Sequence, residues 1–181
     1  MNEIYIPKVG DILIVKGTAW LSRAIQYFMV IYKTLRGFKV DFIPNHCATV
    51  IDFYGVLMVA EANAKGIEAR YNIEDYLTKY KIRVKRIKGR EVTTDWSSTA
   101  AAFFARPHRY DIFNFVFQII LIYTGYWIGP KKSKSTRKLY CSEYIALLLD
   151  IAYNIFNGHT WDKNPIDIEI HPELETVFQN F

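Results

Sequence analysis

The chain has 181 residues, of which 51% are hydrophobic and 23% charged, with only 6 Pro and 9 Gly. That composition supports a buried core and excludes disordered and collagen-like classes. The net charge is +5, but it is unevenly placed: residues 79–90 hold seven basic side chains and residues 131–138 hold five, with no acid in either stretch. The remainder carries 11 basic against 18 acidic residues, an acidic body with two basic patches rather than the spread of cations expected of a DNA-coating protein. No specific nucleic-acid partner is therefore expected.

In chain order, residues 9–15 form a short apolar run that predicts a buried strand. Trp20, Ala24, Tyr27, Phe28 and Ile31 then recur at helical spacing, and Gly37 closes a helical segment within 18–40. His46 to Phe53 and Val56 to Ala62 read as two strands joined at Tyr54-Gly55, a hairpin signal. In residues 80–87, Tyr80, Ile82 and Val84 alternate with Lys81, Arg83 and Lys85, which predicts a strand with one packed and one solvated basic face. A capped helix is expected from Asp95 to Phe104, and an aromatic apolar helix over 113–129. The basic loop at 131–138 follows, then a helix from Cys141 to Phe156 stopped by Asn157-Gly158. The tail Asn164-Pro165-Ile166-Asp167-Ile168 reads as extended. Strands followed by helices indicate one α+β domain over residues 1–181, a small antiparallel sheet packed on helices.

The segment Phe113 to Gly129 is about 17 residues long, at the short limit for a membrane span, and Asn114, Gln118 and Gly125 interrupt it. It reads first as a buried or lid-forming helix, then as a membrane-surface contact through 113–138, and last as a span. The N-terminus has neither a basic flank nor an apolar run, so no signal peptide is read and a cytoplasmic setting is the default. Cys47 and Cys141 allow at most one disulfide and form no zinc-type pair. His108, His159 and His171 are scattered without helical pairing, so neither a metal nor an organic cofactor is expected.

A nucleophilic thiol requires a site that favours thiolate, a nearby imidazole, and a group that orients the ring. Cys141 stands where a helix begins, where free N–H groups and the helix dipole lower a thiol pKa and an oxyanion is readily received. Taken alone, it is also compatible with a small buried hydrophobe. His46 is the imidazole candidate. If Tyr54-Gly55 is a two-residue turn, opposed positions sum to 109, so Ala48 faces Glu61, Asn63 faces His46, and His46, Glu61 and Asn63 share one side. A three-residue turn would send Glu61 to the other face. Either Glu61 or Asn63 could hold the ring. Asp11 is expected to anchor the first strand.

Several pieces together resemble the permuted papain-like cysteine hydrolases, specifically the YiiX-like branch of the NlpC superfamily. They are Val-Gly-Asp-Ile-Leu-Ile at 9–14, Asn-His-Cys-Ala-Thr-Val-Ile at 45–51, Val-Ala-Glu-Ala at 59–62, Tyr-Cys-Ser-Glu-Tyr-Ile at 140–145 and Pro-Ile-Asp-Ile at 165–168. The Tyr-Cys-Ser-Glu block opening an apolar helix is the most specific, and the pieces span nearly the whole chain. The resemblance implies a circularly permuted papain-like fold with Cys141 as nucleophile, His46 as general base and Glu61 as the orienting group. Asn63, Tyr140 and Glu143 are secondary candidates for orienting the ring or shaping the pocket. It implies a thiol-dependent hydrolase acting on an amide or ester bond of a peptide, peptidoglycan or acyl substrate. The sequence departs from the family pattern after the His, where Cys47 and Ala48 stand in place of a small residue such as Gly and an apolar one. Two other readings are a catalytically silent papain-like module of a larger assembly and a membrane-associated lipid acyl hydrolase.

Overall fold

A computed structural model of the chain describes residues 5–17, 20–63, 66–92, 95–104, 112–126, 128–129 and 139–181. The elements in chain order are β1 (Ile12–Lys16), α1 (Trp20–Arg36), β2 (His46–Phe53), β3 (Val56–Asn63), β4 (Gly66–Asn72) and α2 (Ile73–Lys79). There follow β5 (Lys81–Ile87), α3 (Trp96–Phe104), α4 (Ile112–Thr124), α5 (Cys141–Tyr153), α6 (Pro165–Glu169) and β6 (Leu174–Gln179). The six strands form one antiparallel sheet in the order β4-β3-β2-β1-β5-β6, so the fold is α+β.

The hairpin has the register that a two-residue turn dictates. Ala48 pairs with Glu61 and Phe53 with Val56. Tyr54 and Gly55 take φ of 54° and 81°, the positive pair that matches the strand twist, and the Asp52 carboxylate accepts the Gly55 N–H at 2.7 Å. Gly10, in the Val-Gly-Asp piece, is required sterically as well: its φ is +83° and a Cβ there would fall 2.5 Å from a Val92 methyl.

Both faces of the sheet are covered. On one lie Ile12, Ile14, Cys47, Ala60 and Ala62 with Tyr144, Ile145 and Leu148 of α5, Trp96 and Ala100 of α3 and Ile168 of α6. On the other, Leu13, Val15, Ala48, Val59, Ile82 and Val84 pack under Ile73 and Tyr76 of α2. Met29 and Tyr32 of α1 pack with Val40 and Ile166, and the Tyr32 hydroxyl donates to Asp167 at 3.0 Å.

This two-sided burial overturns the expected wet basic face of residues 80–87. Arg83 and Lys85 are 7% and 8% exposed. They pair across β1 with Ile14 and Ile12, on the face that α5 and α6 cover. Their counter-charges come from distant parts of the chain. Arg83 meets Glu169 at 2.7 Å and Asp41 at 2.9 and 3.0 Å, and Lys85 lies 3.6 Å from Glu169. Arg86 donates to Asp11 at 2.6 and 2.9 Å. Asp11 is fully buried and also accepts the Tyr5 hydroxyl at 2.7 Å and the Lys8 N–H at 2.9 Å, so it fastens the entry to β1.

Three further expectations change. The tail at 164–168 is helical, because Asn164-Pro165-Ile166-Asp167 forms a capping box with Pro in the first turn. Helix α5 ends at Asn154, left-handed at φ 55°, and Asn157-Gly158 lie in the turn beyond it, where Asp150 accepts the Phe156 and Gly158 N–H groups. Helix α4 ends at Thr124 ahead of Gly125, short of the expected residue 129, and Val116 and Tyr123 are exposed on it. Among the described residues no helix is long and apolar enough to cross a membrane. The basic loop at 131–138 and His108 lie outside the described residues.

Removing Asp11 would strand Arg86 and the Tyr5 hydroxyl together. Asp11→Ala is expected to cost about 3 kcal/mol, read as a lower urea midpoint with unchanged slope.

Candidate active site

The site forms where the start of β2, the end of β3 and the start of α5 meet. His46 opens β2 and its Nε2 lies 2.9 Å from Glu61 Oε2. Glu61 projects on the same side because it opposes Ala48, one strand period from His46. The carboxylate is only 7% exposed, and each oxygen is satisfied. Besides the ring, Oε2 accepts the Tyr76 hydroxyl at 2.9 Å, and Oε1 accepts Asn63 Nδ2 at 3.1 Å. Asn63 also donates to Glu68. The ring is thus held by Glu61, and Asn63 stands behind that carboxylate.

Cys141 is the first residue of α5, with Tyr140 as its extended N-cap. It is buried where α5 packs on β2, and the groups that act on its thiol are the His46 ring and the backbone N–H groups of Cys47 and Ser142. Since Nε2 is engaged by Glu61, Nδ1 is the ring nitrogen left for the sulfur. The first N–H groups of α5 have no acceptor within the helix and add positive potential at the same place.

These contacts fix the charges. For Cys141, burial pushes the thiol up, but the His46 charge, the ring hydrogen bond and the two backbone N–H groups more than reverse this and leave it below the usual thiol range. Burial disfavours the His46 imidazolium, yet the adjacent sulfur charge, its hydrogen bond and then Glu61 push the ring up to about 10. For Glu61, burial acts upward and is overcome by the His46 hydrogen bond and charge, with Asn63 and Tyr76, bringing it down to about 2. The opposite shifts of the thiol and the ring both favour a thiolate–imidazolium pair backed by a carboxylate over the neutral pair. Cys47 behaves oppositely: burial and then the Cys141 charge push its thiol well up. Both cysteines are free.

The secondary candidates divide. The Tyr140 hydroxyl donates to the carbonyls of Trp161 and Lys163 at 2.8 and 2.9 Å, and the Ser142 hydroxyl joins it on Lys163 at 2.9 Å. Tyr140 therefore anchors the start of α5 to the 161–163 turn. Glu143 is buried in the first turn of α5. The hydroxyl of Tyr76 was not read from the sequence; the signal was present as an Asn72 cap followed by Ile73, Tyr76 and Leu77 at helical spacing. His159 and His171 are apart from the site, packed against Trp161 and Phe156 respectively.

No family model matches the sequence, and no curated protein matches it. Among solved structures, the chain is similar to the metalloprotein yiiX from Escherichia coli O157:H7, with a TM-score of 0.65 and 16% identity over 98% of this chain and 99% of that one. The donor set here does not suit a metal. Among the described residues, no group of three or more His, Cys, Asp or Glu is placed to hold an ion, and the oxygens of Glu61 are already taken by His46, Tyr76 and Asn63. At this identity the likeness shows the architecture, and the chain has a YiiX-like fold.

Proposed function

We propose that the chain is a thiol-dependent hydrolase of the permuted papain-like NlpC type, on its YiiX-like branch, forming one domain over residues 1–181 and cleaving an amide or ester bond. The observation that carries this reading is the His46 ring, 2.9 Å from the Glu61 carboxylate, on the strand against which the helix opened by Cys141 packs. The chain order, His46 and Glu61 before Cys141, is the permuted one, and the motif pieces around all three support the same assignment.

The Cys141 thiolate attacks the carbonyl carbon, and the developing oxyanion is received by the N–H groups opening α5. Collapse of the tetrahedral species breaks the carbonyl–leaving-group bond as the His46 imidazolium gives its proton to the departing nitrogen or oxygen. This leaves a Cys141 thioester and a neutral ring. His46 then takes a proton from water, which attacks the thioester and releases the acid, restoring the ion pair. Glu61 keeps the ring oriented and stabilises its charged form, and Tyr76 and Asn63 keep Glu61 ionised in a buried place.

The sign of the pH dependence follows from the two shifts. The Cys141 thiolate is present above its lowered pKa and lost as pH falls through it; the His46 charge that supports it is present below about 10 and lost above. Wild-type Cys141 is therefore expected to react with iodoacetamide at a lower pH than a free cysteine does, read by peptide mapping that separates it from Cys47. In His46→Ala the burial cost remains without the compensating charge, so the reactive limb moves up past the ordinary thiol range. Identical profiles for the two proteins would remove the ion pair from the account.

With p-nitrophenyl acetate as an ester probe, Cys141→Ala is expected to abolish acyl-enzyme formation, seen by mass spectrometry. His46→Ala should slow it by about 10³-fold and Glu61→Gln by about 10²-fold, with Tyr76→Phe costing roughly tenfold. Turnover that survives in Cys141→Ala at the wild-type rate would end the hydrolase reading.

A further inference from the structure

At the end of the sheet that carries His46 there is also an open cleft of about 630 Å³. Its walls include Lys16, Gly17, Arg23, Lys79, Tyr80 and Lys81, and no Asp or Glu lines it. The sheet order puts it at the same end of the strands as His46. Val15 pairs with His46, so Lys16 and Gly17 continue past the catalytic strand end, and Lys16 in turn pairs with Lys81 on β5. Neighbouring strands lie about 4.8 Å apart, so the β1 and β5 ends stand roughly 5 and 10 Å from His46 along the sheet edge.

Two side chains tie this wall to the site. Asn45, immediately before His46, accepts the Gly17 N–H at 2.9 Å and donates to the Gly17 carbonyl at 3.1 Å. Tyr76, which holds Glu61, is followed directly by the cleft-lining residues 77–81. Asn180 closes the far side, donating to the carbonyls of Leu77 and Tyr80 at 2.6 and 2.8 Å.

The charges in this cleft are unlike those elsewhere on β5. Arg83, Lys85 and Arg86 are each matched to a carboxylate of the chain, whereas Lys16, Arg23 and Lys81 have no ion pair among the described residues. Three cations facing one concave space, with Lys79 at its rim, concentrate positive potential there. A carboxylate would be balanced by one of them; a doubly charged oxyanion engages two or three through charge-assisted hydrogen bonds.

We propose that this cleft binds a phosphate group, and that the ligand carrying it reaches the Cys141 site through the neighbouring strand end. The second half of this proposal rests on the hydrolase reading, while the anion site itself does not. The phosphate belongs either to a soluble phosphate ester or to a lipid headgroup.

The test is calorimetric titration of inorganic phosphate into wild type, Cys141→Ala and the Lys16→Gln/Lys81→Gln double variant. Circular dichroism verifies that the double variant, altered only at side chains that are not buried, is folded. Wild type and Cys141→Ala should bind alike, and the double variant at least about tenfold more weakly. Wild type that binds no phosphate, or a folded double variant that binds it as wild type does, overturns the proposal. Sedimentation with phosphatidylcholine vesicles containing phosphatidic acid then distinguishes the sources. Co-sedimentation that inorganic phosphate competes away assigns a lipid headgroup, and phosphate binding without co-sedimentation assigns a soluble ester; both sustain the site. Because Cys141→Ala is included, an unreactive Cys141 with intact phosphate binding would remove the hydrolase reading and leave the anion site standing.

Discussion

Burying a carboxylate costs several kcal/mol unless its oxygens are satisfied and an opposite charge stands by. Glu61 is buried at the end of β3, and the elements around it are arranged to meet that cost. Helix α2 lies over this face of the sheet and delivers the Tyr76 hydroxyl; β3 delivers Asn63; β2 delivers the His46 ring. With Nε2 bound to Glu61, Nδ1 is the ring nitrogen that remains for Cys141 at the start of α5. The hairpin register, the position of α2 and the docking of α5 therefore converge on one imidazole, and each is needed for the ion pair that the proposed chemistry uses.

The part of this arrangement that depends on local rules was legible in the sequence. Tyr54-Gly55 accepts two consecutive positive φ values, which sets the opposed positions to sum to 109 and puts Glu61 on the side of His46. Cys141 at the front of an apolar helix is similarly local. What was not legible depends on partners far away in the chain. Tyr76 reaches Glu61 from a helix whose seven residues are too short to give a strong periodic signal. Strand β6 pairs with β5 through residues about a hundred positions apart, with a shift in register between Val84 and Lys85, and no feature of 174–179 alone names that neighbour.

The basic stretch at 79–90 shows the same limit in electrostatic form. Alternation in a strand tells which residues share a face, not whether another layer covers that face. Here α5 and α6 cover it, and Arg83 and Lys85 are neutralised by Asp41 and Glu169, while Arg86 is neutralised by Asp11. The stretch thus splits into two populations. Its middle is internal ion pairing that locks β5 to β1, α6 and the segment before β2. Its leading end, Lys79 and Lys81, joins Lys16 and Arg23 at the edge of the cleft beside His46.

The proposed chemistry depends on the protonation state of His46, and a ¹⁵N NMR titration of the ring reads it directly. Both ring nitrogens of the wild-type protein should be protonated at pH 7 and lose the proton near pH 10, with the transition falling toward the ordinary histidine range in Cys141→Ser, where the thiolate charge is gone. A ring that is neutral at pH 7 in the wild type and titrates as a free histidine would contradict the thiolate–imidazolium pair, and with it the proposed catalytic role of Cys141.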